Sequence, residues 1–387
     1  MGLNDEPKLR VPRVLGDSLK DRDNSLNFLR VLFASLVLLS HAAGLAGFNN
    51  WVGLINQSSI AQIALYGFFI ISGYLIAGSV LRNSTFDYLI RRCLRIFPGL
   101  ITCLLLTAFL FGVLAWRHLP NRDTSYSSYF SGHDNPFTYV VKNSLLANPY
   151  WTQHMISGTP DSILQNWNES IWTLFYEFIC YIVILGLAIV GFLKHRFLLV
   201  GITTLLWAVV VTITLTPSLS AHFNFLENLT AEQLLRFLLI FLTASVFYIF
   251  RNEIPDSGWL ALGSAVIFTV GLSLPNGGRV PSLQFTPSDI FVPFLIYPIL
   301  WCGIHLPLQK IGSKNDYSYG IYIYGWPISE LVVAWNLERF GIVPYWLLCF
   351  VVAATFAIAS WWLIEKPALG FRTGKSLTAS PSLLPME

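Results

Sequence analysis

Charge is what this sequence has least of. Only 12% of its 387 residues are Asp, Glu, Lys or Arg, about half the roughly 25% of an ordinary soluble domain, and a soluble globular chain is excluded on that ground. Cysteine is scarce as well: there are five, none in a C-x-x-C pair, so neither a disulfide framework nor a metal site is indicated. Cys103, Cys180, Cys302 and Cys349 fall in apolar stretches and Cys93 in a basic one. Long polar segments are few, and the tail beyond Gly370 leaves no room for a second globular domain. The net charge of +3 gives no reason to expect nucleic acid as a partner.

What the chain has is apolar length. Hydrophobic residues make up 54% of it, and its mean hydropathy is +0.59. A spanning helix needs about 20 mostly apolar residues, and ten stretches qualify: 28–48, 60–81, 98–116, 170–193, 197–216, 233–250, 258–274, 290–306, 318–337 and 343–363. The expected fold is an all-α polytopic membrane protein of about ten transmembrane helices. With the N-terminus inside, the inner segments carry 18 of the 24 Lys and Arg residues and the outer segments five, which places both termini in the cytoplasm. The polar head, residues 1–25, is expected to be a cytoplasmic arm. Its length and charge do not suit a cleaved signal peptide. Residues 26–370 form the membrane domain, with an outer loop at 117–169, and 371–387 a short cytoplasmic tail. A loop that long is often functional.

Ionisable groups inside spans are costly and are functional candidates by default. The first span, NFLRVLFASLVLLSHA, holds Arg30 and His41. Eleven helical residues turn about 20° beyond three full turns and rise about 16 Å, so the two side chains share one face. Either they line one cavity, or Arg30 anchors the span at the inner interface and His41 packs. In RRCLRIFP, Arg92 and Arg95 are i and i+3 neighbours; their guanidinium fork suits a phosphate or, equally, lipid headgroups. In ESIWTLFYEFICY, Glu177 lies about 12 Å deeper than Glu169. It must be paired or protonated, either orienting a histidine base or bonding a neighbouring helix. Glu232 and Arg236 are spaced to pair with each other, Glu330 and Glu365 have no evident role, and Ser72 is a candidate for lining a cavity among the small residues of the second span. The outer loop and its edges hold Trp116, Tyr126, Tyr129, Phe130, Tyr139, Tyr150, Trp151 and Trp167. These suit either sugar rings or an interfacial aromatic belt.

Together these segments resemble the membrane acyltransferase family 3, whose members include O-acetyltransferases of bacterial cell-surface and secreted glycans. NFLRVLFASLVLLSHA fits the family's Arg or Lys, ten residues, then His. GFFIISGYLI fits FF-x-x-SG-[YF]-L-I, RRCLRIFP fits the R-x-x-R-I-x-P turn, and WTLFYEFICY fits W-[ST]-L-x-x-E-x-x-x-Y. SYGIYIYGWPI and WWLIEKPAL fit the two closing elements, so the matches run in order over residues 27–369. The chain departs from the pattern at Gly325, where many members have a second histidine, and it lacks the SGNH domain some members carry. A GDS at Gly16–Ser18 resembles an SGNH nucleophile signature but has no D-x-x-H partner.

The resemblance implies an integral membrane O-acyltransferase in the bacterial cytoplasmic (inner) membrane. It takes an acyl group, commonly acetyl, from acyl-CoA as donor substrate, with no permanently bound cofactor and no metal. The acceptor is a carbohydrate or glycolipid hydroxyl. Beyond the resemblance, the spacing is compatible with His41 and Glu177 as the catalytic pair, His41 taking the acceptor proton or carrying the acyl group transiently while Glu177 orients it, with Arg30, Arg92 and Arg95 on the CoA phosphates and Ser72, Trp172 and Tyr319 along the substrate path. The rival from another class is a proton-coupled exporter of a lipid or sugar. Against it, the two halves share no repeated pattern and no paired broken spans.

Overall fold

A segment crossing lipid must satisfy every backbone N–H and C=O within itself, which makes helix the expected outcome for each apolar stretch. The computed structural model describes residues 13–19, 24–48, 54–55, 58–116, 118, 126–131, 135–146, 167–216, 229–276 and 285–373, and all ten stretches are occupied by helix. In chain order these are α1 (Leu15–Ser18), α2 (Leu26–Leu45), α3 (Ile60–Arg82), α4 (Thr85–Trp116), α5 (Tyr126–Phe130), α6 (Pro136–Ser144) and α7 (Glu169–Ile189). They continue with α8 (Arg196–Leu215), α9 (Leu229–Ile249), α10 (Gly258–Ser273), α11 (Pro287–Phe291), α12 (Pro293–His305), α13 (Ser318–Ala334) and α14 (Ile342–Phe371). A two-residue antiparallel ladder, Leu54–Ile55 with Ser58–Ser59, lies between α2 and α3. The protein is an all-α polytopic membrane protein. Among the described residues, seven helices (α2, α3, α4, α7, α8, α9 and α14) are long and apolar enough to cross a membrane, with α10 and α12 shorter and apolar.

The third expected span begins earlier than its hydropathy indicates. Helix α4 starts at Thr85, where Ser84 caps it by accepting from the Asp87 amide, and it runs through RRCLRIFP instead of turning there. Pro98 sits inside the helix; in a membrane bundle the lost backbone bond is re-satisfied locally, so proline does not end the helix. At 32 residues, α4 is about 48 Å long and exceeds the roughly 30 Å apolar core. Its first, arginine-bearing turns therefore lie at the end of the bundle.

Helices α2, α3, α9 and α13 form the buried centre. The second-span small residues work as expected: a Cβ at Gly73 would stand 2.8 Å from the Phe241 carbonyl of α9, and Ser245 donates to the Gly73 carbonyl at 3.3 Å. The outer surfaces of α8 and α14 present Leu205, Leu215, Leu347 and Leu363 outward, as lipid-facing helices do. Residues 13–19 of the expected arm are docked on the bundle: Leu15 is fully buried, and the Leu15 and Gly16 amides donate to the Ile254 and Arg251 carbonyls. Residues 1–12 and 20–23 of the arm, most of the outer loop, and the tail from residue 374 lie outside the described residues.

Candidate active site

At the end of the bundle where α2 and α13 begin, two of the expected charges meet an acid not singled out from the sequence. Asp316, in the connection before α13, binds Arg30 of α2 at 2.8 Å and Arg95 of α4 at 2.6 Å. Arg95 also reaches Glu365 of α14 at 3.2 Å. Glu365 closes a π-turn at Trp361–Glu365 and accepts from Ser360 at 3.0 Å, an instance of the wide turns that recur at functional sites. The Arg95 guanidinium lies over the Tyr319 and Trp361 rings, and the Tyr319 hydroxyl donates to the Ile96 carbonyl at 2.7 Å. Tyr319 therefore stands with the clustered arginines. Burial works to raise the Asp316 carboxyl, but the Arg30 and Arg95 charges and the Ser318 hydrogen bonds outweigh it and bring it down to about 2.

Arg92 stands apart from that clamp. It donates to Ser79 at 3.3 Å and lies over the Tyr88 and Tyr181 rings, and among the described residues no carboxylate pairs with it. The Nε atoms of Arg30, Arg91 and Arg92 are buried without a partner. Two of the three expected phosphate ligands, Arg30 and Arg95, thus come with carboxylates, and the unspent donors of Arg30 and Arg92 are what an incoming anion could satisfy.

Glu177 is held from two sides at one oxygen, by Ser72 of α3 at 3.1 Å and by Tyr181, one turn on in α7, at 2.5 Å. The expected contact between Glu177 and His41 is not formed: no hydrogen bond or ion pair joins them. The carboxylate instead belongs to a chain running Ser72, Glu177, Tyr181 and, through the Tyr181 ring, Arg92.

His41 lies on α2 with its Nδ1 buried and unpartnered. Its ring meets Trp326 of α13 edge to face, 5.0 Å between centroids and 79° between planes. The Trp326 indole donates to Glu330 at 3.2 Å. This close approach of α2 and α13 depends on Gly325, since a Cβ there would stand 3.1 Å from Leu38. The place of the family's second histidine is thus walled by Leu38.

Other expectations fall differently. Trp172 is buried against Tyr176 and Phe237, within the core. Of the aromatics around the outer loop, Trp116, Tyr129, Tyr139 and Trp167 are buried, and Tyr129 donates to the Ala108 carbonyl at 2.6 Å, which favours packing over sugar contact for these four. Tyr150 and Trp151 lie outside the described residues. Arg236 pairs across helices with Asp289 of α11, at 2.9 Å, and Tyr66 donates to the same carboxylate at 2.7 Å; the i, i+4 spacing to Glu232 gave no hint of this partner. The signal for Asp289 was in the sequence all the same, as the capping box Thr286-Pro-Ser-Asp289. No cluster of metal-ligating residues occurs among the described residues.

A family model described as an acyltransferase domain matches residues 23–364. An "O-acetyl transferase" of Shigella phage Sf6 is 28% identical over 353 residues, covering 89% of this chain and 96% of the relative. "Nodulation protein 10" of Rhizobium leguminosarum bv. viciae is 25% identical over 374 residues, covering 90% and 94%. No solved structure matches the chain.

Proposed function

The chain belongs to the membrane acyltransferase family 3, and from that premise we propose that it is an O-acyltransferase, acetyl being the simplest group, which moves the acyl from cytoplasmic acyl-CoA to a hydroxyl of a cell-surface or secreted carbohydrate in the bacterial cytoplasmic membrane. The observation that carries this reading is the layout of α2. Arg30 stands in the basic cluster at one end, and His41, with an unpartnered nitrogen, lies about 16 Å further along. A polyanionic head on a long thin arm fits that layout: the phosphates rest on Arg30, Arg92 and Arg95, and the thioester extends toward His41.

His41 acts as the general base. It takes the proton of the acceptor hydroxyl while the oxygen attacks the thioester carbonyl. The new C–O bond forms, the C–S bond breaks, and the leaving thiolate takes the proton back from the imidazolium, so the products are an ester and free CoA thiol. Glu177, tied to Ser72 and Tyr181, shapes the path between the arginines and the base and does not touch His41.

The test is transfer of label from radiolabelled acetyl-CoA to crude cell-envelope glycan by the purified protein in liposomes. Wild type incorporates label, and His41→Ala, expressed to the same level, incorporates none. Label incorporation by His41→Ala refutes the role of the base; flux of glycan without covalent transfer refutes the enzyme.

A further inference from the structure

Glu330 is the only charged residue in α13 and is fully buried. A buried carboxylate costs several kcal/mol unless it is paired, as Asp289 is with Arg236 and Glu365 with Arg95. Among the described residues, no cation pairs with Glu330. One oxygen accepts the Trp326 indole N–H at 3.2 Å, and the other is buried without a partner. A leucine would fill the same space more cheaply, so packing alone does not account for an acceptor oxygen here.

What that single hydrogen bond does follows from where Trp326 sits. The indole is tied at Nε1 to Glu330, one turn further along the same helix, and its ring abuts the His41 imidazole at 5.0 Å and 79°. His41 has no hydrogen bond at Nδ1 to fix its ring, whereas a histidine base ordinarily has its second nitrogen oriented by a carboxylate or carbonyl. Here Trp326 is the described side chain that meets that ring edge to face. Gly325 lets α2 close on α13 at this level, which brings the indole into reach.

We propose that Glu330 and Trp326 together are positioning residues of the acyl transfer: the carboxylate locks the indole, and the locked indole holds the His41 ring at the angle from which it takes the acceptor proton. Neither need touch the reacting atoms. The inference rests on His41 being the base, as argued above.

Three single variants, Glu330→Leu, Glu330→Gln and Trp326→Phe, and one double variant test it in the liposome assay, with kcat and the acyl-CoA KM read separately. Misplacement of a catalytic group by about 1 Å lowers turnover by about 100-fold, so Glu330→Leu and Trp326→Phe each lower kcat by roughly 10- to 100-fold, with the donor KM within about twofold. Glu330→Gln keeps a carbonyl oxygen for the indole N–H and recovers most of the turnover that the leucine loses. The double variant Trp326→Phe/Glu330→Leu is no slower than the worse single, because the pair acts as one unit. Unchanged kcat in Trp326→Phe, or multiplying losses in the double variant, overturns the proposal; Trp326→Phe, which leaves the carboxylate in place, decides the matter if Glu330→Leu does not fold. Wild-type protein that transfers no label defeats the acyltransferase reading instead, and the two failures are distinguishable.

Discussion

Asp316→Asn removes one negative charge from between two guanidiniums and little else, because an asparagine oxygen can still accept from the Ser318 amide and hydroxyl that Asp316 engages. Arg30 and Arg95 would then face each other across 2.8 and 2.6 Å contacts that no longer carry a counter-charge. The size of the effect follows from the carboxyl, lowered from 3.8 to about 2 in the folded protein. At about 1.4 kcal/mol for each tenfold change in acidity, the charged form contributes roughly 2 kcal/mol to stability at neutral pH. The sign is that of a depressed acid: the contribution is complete above the unfolded value of 3.8, about half gone by pH 3, and lost as pH falls through about 2. Equilibrium unfolding of wild type and Asp316→Asn in mixed micelles, from pH 7 to pH 3, measures it. The gap between the two curves should be near 2 kcal/mol at pH 7, constant to about pH 4.5, and roughly half as large at pH 3. A gap that is absent at neutral pH, or that does not narrow in acid, refutes the claim that this acid clamps α2 to α4.

The two helix-neighbour arginines should separate in experiment. Arg92→Ala, with no carboxylate left behind, raises the acyl-CoA KM several-fold while thermal stability holds; an unchanged KM removes Arg92 from the donor site. Arg95→Ala strands Glu365, which is 1% exposed, and should cost on the order of 3 kcal/mol in the same unfolding assay. A loss below about 1 kcal/mol would place that ion pair among the solvent-screened ones. Gly73→Leu drives side-chain atoms into the Phe241 carbonyl and should sharply lower the yield of folded protein, read by size-exclusion chromatography in detergent; a normal monodisperse yield would mean that α3 and α9 can separate at this level.

Hydropathy made the spans legible because lipid leaves so few backbone options, and all ten stretches are helical. It misplaced the start of α4, since Pro98 reads as a boundary in water but not within a bundle. Two of the site's contacts were also within reach of the sequence and went unread: Tyr181 is i+4 to Glu177, and Glu330 is i+4 to Trp326, the spacing at which helical side chains meet. The expectation that Glu177 would find a histidine followed correctly from its need for a partner, but a need does not say which helix supplies it. Asp316 was beyond reach for a different reason. It sits in the short polar stretch GSKNDYS, where nothing local marks which polar side chain turns inward, and its two partners are brought to it by the packing of α2 and α4.

Helix α2 is continuous from Leu26 to Leu45, so the arginine proposed to meet the donor's head and the histidine proposed to meet its far end are mounted on one rigid rod. On that proposal the protein measures its donor with a ruler. Inserting a single residue between Arg30 and His41 would lengthen the rule by only about 1.5 Å but swing the histidine by about 100°, off the face it shares with the arginine. Deletions or insertions in this interval are thus felt as a change of direction before they are felt as a change of distance.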